Sequence, residues 1–249
     1  TIPRATYLSV LAIGLFYMFT SWLMVNGAGV DKLLPELQAL ADPTTFLFDL
    51  AGRYVGEWIV PIMGFLFVSS LFAAVLALHN GIARYIYVGG RERLFPAGVG
   101  VTHSLFQSPH VGSVIQTITA LVVVGYFAAT GQDPVLALFS WLSMLATLGV
   151  MTLMAVSAFA IAVFFARNPG LENGLFSSRI APILAGIILA VMVVFIARNF
   201  GDLTGAGSAL AIALPLLIPV AAVIGLLLAQ RLKASSPELF AKLGLGKVA

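Results

Sequence analysis

The sequence predicts an all-α integral membrane protein with six transmembrane helices, and three observations predict it. Charge is scarce: of 249 residues, 60% are hydrophobic and 9% charged, with a mean hydropathy of +1.05. Soluble domains carry roughly 25% charged residues, so this chain cannot cover itself with hydrated groups and takes lipid as its main solvent. The charges are also segregated. No Asp, Glu, Lys or Arg falls within 5–30, 58–83, 94–132, 134–166, 180–197 or 203–230. A helix needs about 20 apolar residues to cross a hydrocarbon core of about 30 Å; the shortest run has 18 and can borrow a turn from each flank. Finally, nothing alternates. A membrane β-barrel would show apolar and polar residues alternating over about ten positions, whereas Leu121–Val124 and Ile187–Ile196 are apolar throughout. Helices are the other way to satisfy backbone groups in lipid.

Taken in order, the spans are expected near 6–28, 58–82, 110–130, 135–166, 180–198 and 207–230, in one transmembrane domain covering 1–249. Asp133-Pro134 reads as an N-cap with proline at the first helical position, which opens the fourth span. Asp42-Pro43 opens a short outer helix with Phe46, Leu50 and Tyr54 on its apolar side. Ser235-Ser236-Pro237-Glu238 resembles a capping box before a short amphipathic helix carrying Leu239, Phe240 and Leu243.

Six spans put both termini on one side. That side holds Arg4, Arg84, Arg91, Arg93, Arg167, Arg179, Arg231, Lys233, Lys242 and Lys247; the other holds Lys32, Arg53 and Arg198. Basic residues accumulate on the cytoplasmic face, so both termini are expected in the cytoplasm and the chain in the cytoplasmic membrane. Only Arg4 precedes the first span, which is too long for the apolar core of a cleavable signal. There is no cysteine, which excludes disulfides and thiolate metal sites. No metal, cofactor or nucleic-acid partner is expected.

The candidate sites are hydroxyls. Ser69, Ala73, Ala77 and Gly81 recur every four residues on the second span, a stripe of small residues against which another backbone can pack. Ser69 and Ser70 lie at its middle, where adjacent hydroxyls can ligate a cation or a substrate; a serine can equally bond back to its own helix. Ser140, Ser143, Thr147, Met151 and Met154 share a face of the fourth span, which suits either a hydrated path or interhelical hydrogen bonds. Gln116 and Asn26 are the other amides near membrane depth, and Gln116 is expected to bond to a neighbouring helix. No acidic or basic side chain lies deep in a span, although proton relays usually show one. His79, beside Asn80 at the inner end of the second span, is the nearest ionisable group.

The segment after the second span is the most informative. It reads Asn80, Ala83-Arg84, Gly90-Arg91-Glu92-Arg93, Leu94-Phe95-Pro96, His103 and Pro109. Arg84 and Arg91, two helical turns apart, share a face. They form either the basic flank of a span, held by lipid phosphates, or a specific motif. The order and spacing of the pieces resemble the loop after the eighth helix in permeases of the amino acid–polyamine–organocation (APC) superfamily, and Thr1-Ile2-Pro3-Arg4-Ala5 resembles their sequence after the sixth. Arg93 departs from the pattern, standing where many members have glycine, which would loosen the turn.

The resemblance covers essentially the whole chain, as helices seven to twelve of a twelve-helix, inverted-repeat secondary transporter. It implies an amino acid or amine substrate, a proton or sodium ion as coupling partner, and a need for N-terminal helices that carry the broken segments of the substrate site. The start at Thr1, without methionine, agrees with that expectation. By position, Ser69 and Ser70 match the hydroxyls that complete a sodium site in sodium-coupled relatives. Other readings are a structural half whose site lies elsewhere, a six-helix channel, and an intramembrane serine protease. The protease would need a Gly-x-Ser-Gly setting, and Gly112-Ser113-Val114 lacks the flanking glycine. A channel would need a filter or charged pore rings, and none is visible.

Overall fold

The computed structural model describes residues 2–40, 45–171 and 174–244, with backbone alone for Ile2, Pro3, Gln38 and Lys242. Its regular elements are all helical, and six helices are long and apolar enough to cross a membrane. The chain divides into two compact units, residues 1–78 and 79–249.

The first unit contains α1 (Ile2–Ala28), α2 (Leu33–Ala39), α3 (Phe46–Val55) and the N-terminal part of α4 (Ile59–Arg91), to residue 78. Between Arg4 and Ala28, α1 buries Ala28 alone. Its C-terminal end is tied down where the Tyr54 hydroxyl donates to the Gly27 carbonyl at 2.7 Å. That bond comes from the apolar face of α3 expected for Phe46, Leu50 and Tyr54; the opening pair Asp42-Pro43 lies outside the described residues. Helix α2 was not expected. It carries Glu36, whose carboxylate lies 3.6 Å from the Arg53 guanidinium on α3.

The second unit begins with the C-terminal end of α4. That helix continues nine residues past the expected end at 82, because 83–90 contain no proline and α4 stops only where Arg93 turns left-handed (φ 60°). A 3-10 turn (Ala97–Gly100) follows, then α5 (His110–Ala129), α6 (Ser140–Arg167), α7 (Ala181–Arg198), α8 (Phe200–Thr204), α9 (Ser208–Ser235) and α10 (Pro237–Lys242).

Asp133 caps the fourth span as its sequence predicts, its carboxylate accepting from the amides of Val135 (2.8 Å) and Leu136 (2.7 Å). The first turns of the fourth and fifth spans, Pro134–Phe139 and Phe176–Ile180, are π-helical. Helix α9 runs through Pro215 and Pro219. Each proline removes a backbone donor, and such losses are tolerated in membrane helices where local adjustments re-satisfy the freed carbonyls. The capping box before α10 does not form: Ser236 occupies the N-cap position without a side-chain bond.

Packing in this unit centres on α6 and α7. Ala155, Ala158 and Ala162 are buried along one face of α6, at spacings of three and four that put them over one another. Gly186 of α7 lies so close to the Phe159 ring that a Cβ there would come within 2.9 Å of it. Near the C-terminal end of α7, Leu148, Ile196, Phe200 and Ala206 form a buried cluster, with Trp141, Met144 and Ile218 against it.

Candidate functional site

Ser69 and Ser70 lie in the first unit, in a stretch of α4 exposed on every side. The Ser69 hydroxyl donates to the Leu66 carbonyl at 2.9 Å, and Ser70 has no side-chain partner among the described residues. The small residues that share this face, Ala73 and Ala77, are exposed too.

Ser143 and Thr147 lie in the second unit, on α6. The Thr147 hydroxyl donates to the Ser143 carbonyl at 2.8 Å, as Thr152 does to Leu148 at 2.7 Å. In lipid a hydroxyl must spend its proton somewhere, and the carbonyl one turn back is always within reach. A back-bonded hydroxyl still keeps its lone pairs, so Ser69 and Thr147 remain able to ligate a cation or accept from an ammonium group.

The amides behave differently. Asn26 donates to the Trp22 carbonyl at 2.7 Å. Gln116, expected to bond across helices, makes no side-chain hydrogen bond among the described residues.

The loop after α4 is tightly knit. Because α4 continues unbroken, Arg84 and Arg91 stand on one helix, both exposed, with the Arg91 guanidinium 5.8 Å from the Tyr87 ring centre. The Gly89 carbonyl accepts from the amides of Leu94 (2.9 Å) and Phe95 (3.1 Å). The Phe95 ring folds over Gly89 itself. A Cβ on Gly90 would meet the Gly100 amide nitrogen, and one on Gly112 would lie 2.5 Å from the Ala83 carbonyl oxygen. So the end of α4, the 3-10 turn and the start of α5 meet backbone to backbone.

At the turn, Arg93 takes the left-handed conformation in which glycine is favoured. This explains physically why a glycine suits that position. Glu92 carries a bond that the sequence did not reveal: its Oε1 accepts from the Gly244 amide at 3.0 Å, tying the segment after α10 to the loop. A carboxylate at a helix C-terminus is disfavoured by the helix dipole, and a backbone donor offsets this. No local pattern in the sequence could have paired residues 152 apart.

His79 Nε2 lies 2.7 Å from the Ser113 hydroxyl, and the tautomer decides which donates. Two buried nitrogens, His110 Nδ1 and Trp141 Nε1, have no partner among the described residues. Among the described residues no three His, Asp or Glu side chains gather closely enough to hold a metal ion. Within the first unit a groove of about 540 Å³ opens between α1 and α3, lined by Leu23, Met24, Leu47, Leu50 and Met63 among others. Its walls are apolar but for the Asn26 amide and the Tyr54 hydroxyl, both already bonded.

The comparisons with known proteins agree with this membrane architecture. Over 127 residues, 50% of the chain, the sequence is 24% identical to the low-affinity putrescine importer PlaP of Escherichia coli strain K12, and equally to that of Escherichia coli O157:H7. The match spans about a quarter (26%) of each importer's length. No solved structure matches significantly. Residues 1–231 match the family described as amino acid permease. With that match covering nearly all of the chain and six helices able to span a bilayer, this is a multi-pass membrane protein that belongs to the amino acid permease family of the APC superfamily.

Proposed function

We propose that these helices are part of a secondary active transporter of amino acids or related amines, and that they correspond to helices seven to twelve of its twelve-helix fold. The observation that carries the reading is the family match over residues 1–231. The order of motifs from Asn80 to Pro109 supports the assignment to the second half. The similarity to a putrescine importer supports a cationic amine among the substrates. In this reading Ser69, Ser70, Ser143 and Thr147 supply hydroxyl oxygens to substrate or coupling ion. Ser70 is the best placed, because its hydroxyl has no competing partner among the described residues. Arg84, Arg91 and Glu92 then order the cytoplasmic loop, and both ends of the segment face the cytoplasm.

Uptake by the intact protein in proteoliposomes tests the function. Saturable uptake of putrescine or of an amino acid, driven by a proton or sodium gradient, is the expected result; flux that neither saturates nor responds to either gradient overturns it. Residues 1–249 alone are expected to give no uptake, because the resemblance assigns the broken substrate-binding helices to other segments. Ser70→Ala should then weaken uptake about tenfold, the loss of one contact to a charged group, with unchanged thermal stability. Wild-type kinetics in that variant would favour the structural reading, in which the site lies wholly elsewhere. Orientation is tested separately, since the absence of cysteine makes labelling clean. A cysteine at Val30 should react with an impermeant reagent on intact cells and one at Ser104 should not; the reverse pattern inverts the topology.

A further inference from the structure

The transport reading leaves unused a pair of histidines in the second unit. His103 closes the segment before α5 on itself. Its Nδ1 accepts from the backbone amides of Leu105 (3.2 Å) and Phe106 (3.3 Å). Its own amide donates to the Ser108 carbonyl at 2.8 Å, and its carbonyl accepts from the Gln107 amide at 2.9 Å. Within this closed segment Gln107 is held at φ 51°, a left-handed conformation uncommon for residues with a Cβ. The His103 ring centre lies 5.1 Å from that of Phe106 and meets the His110 ring edge-on at 5.4 Å. His110 is the first residue of α5, and its Nδ1 is buried without a partner among the described residues.

An imidazole nitrogen accepts a hydrogen bond only when it carries no proton. Protonating Nδ1 of His103 would set an N–H against two N–H donors and place a positive charge beside a second imidazole. Histidine is the side chain whose charge ordinarily changes between pH 5 and 8. Among the described residues no acidic side chain is hydrogen-bonded or ion-paired to either ring. The 3-10 turn Ala97–Gly100 has no titratable group, and α4 presents His79, bonded to Ser113 one turn along α5 from His110.

We propose that His103 is a pH-sensitive latch. Neutral, it holds residues 103–108 closed against the first turn of α5; protonated, it releases them. Because Gly112 in that same turn packs directly on the Ala83 backbone, release loosens the corner between α4 and α5. The latch does not depend on what the protein carries.

Amide exchange of the reconstituted protein at pH 7.5 and 5.5, corrected for the intrinsic pH dependence of exchange, reads the latch. Protection of Leu105 and Phe106 should fall roughly tenfold at pH 5.5, the loss of two ordinary hydrogen bonds, while α6 and α7 stay protected. His103→Asn places a carbonyl oxygen close to the position of Nδ1, an acceptor that does not titrate, and should keep protection equal at both pH values. The ¹⁵N resonance of His103 Nδ1 in the unsubstituted protein needs no variant, and should be that of a bare acceptor nitrogen at pH 7.5. Equal protection at both pH values in the unsubstituted protein, a His103→Asn variant that still loosens at pH 5.5, or an Nδ1 already protonated at pH 7.5 would each overturn the proposal.

Discussion

Between Arg4 and Ala28, α1 buries one residue, while between Ser140 and Arg167, α6 buries Leu148, Ala155, Ala158 and Ala162. Both helices are long and apolar enough to cross a membrane, so apolarity does not explain the difference. In lipid no hydrophobic drive brings helices together, because hydrocarbon tails are as apolar as leucine. What remains is close van der Waals contact, and that needs small residues on one helix and something shaped to meet them on another. Helix α6 has both, with its alanine face and the Gly186 hollow of α7 that receives Phe159. Helix α1 has Gly14, with nothing within 4 Å of where its Cβ would be. Its anchorage in the first unit lies at the Ala28 end, where Gly27 faces the Leu50 and Tyr54 side chains and its carbonyl accepts from the Tyr54 hydroxyl.

The largest expected effect comes from hollowing the better-packed unit. Leu148 is 2% exposed and sits in the cluster with Ile196, Phe200 and Ala206. Leu148→Ala should lower stability in detergent by about 2–5 kcal/mol, as buried leucine truncations do. Leu71→Ala, at a residue 48% exposed, should change it by less than about 0.5 kcal/mol. Equal losses would mean that the two units are packed alike, and the comparison would fail.

Adding bulk sharpens the contrast. Ala158→Leu pushes a branched side chain into the buried face of α6 and should cost about 1–3 kcal/mol. In residues 1–249 alone, Ala73→Leu, on the exposed stripe of α4, should be tolerated within about 0.5 kcal/mol. The sequence singled out the Ser69–Ala73–Ala77–Gly81 stripe as a packing surface on spacing alone. In the structure the packed small residues are those of α6, whose spacing of three and four is no more conspicuous in the sequence. Periodicity reveals which residues share a face; it does not reveal whether a partner covers that face.

The third test concerns the polar anchor of the first unit. Tyr54→Phe keeps the ring and removes only the hydroxyl that donates to the Gly27 carbonyl. A loss of about 1 kcal/mol is expected, with faster amide exchange confined to the C-terminal end of α1 and to α3. Exchange rising along the whole of α1 would show that this one bond orders the entire helix.

How legible the molecule was follows the range of the interactions. Six apolar helices could be read from charge-free runs because each is specified by its own residues. The cap at Asp133 could be read because donor and acceptor lie two and three residues apart. The capping box at Ser235–Glu238 has the right residues, yet the N-cap Ser236 makes no side-chain bond, and α2 was missed because seven residues carry too little period to see. Among the candidate site residues, the sequence placed Arg84 and Arg91 on one helix face, and α4 does carry both. It could not see Glu92 reaching Gly244, nor the backbone crossings at Gly90 and Gly112, since a glycine needed for close approach looks like any other until its neighbour is known.

The smallest expected effect falls on Arg93, a residue where the sequence departs from the pattern it resembles. Arg93 ends α4 at φ 60°, and for a residue with a Cβ the left-handed region costs roughly 1–2 kcal/mol. Glycine would remove that penalty but lose more conformational freedom on folding, about 0.5–1 kcal/mol. The two terms leave Arg93→Gly more stable by about 0.5–1 kcal/mol, because the turn itself is fixed by backbone bonds from Arg93 to Gly90 and from Leu94 and Phe95 to Gly89. The sequence alone pointed the other way, to an arginine that loosens the turn; the structure holds the turn closed and puts the strain in Arg93. Thermal unfolding of Arg93→Gly decides between them, with Arg93→Ala as the control that removes the side chain and keeps the Cβ. A higher midpoint for glycine and not for alanine locates the penalty in the backbone. If both variants rise together, the Arg93 side chain is what destabilises the turn; if glycine falls, Arg93 makes a contact worth more than its strain.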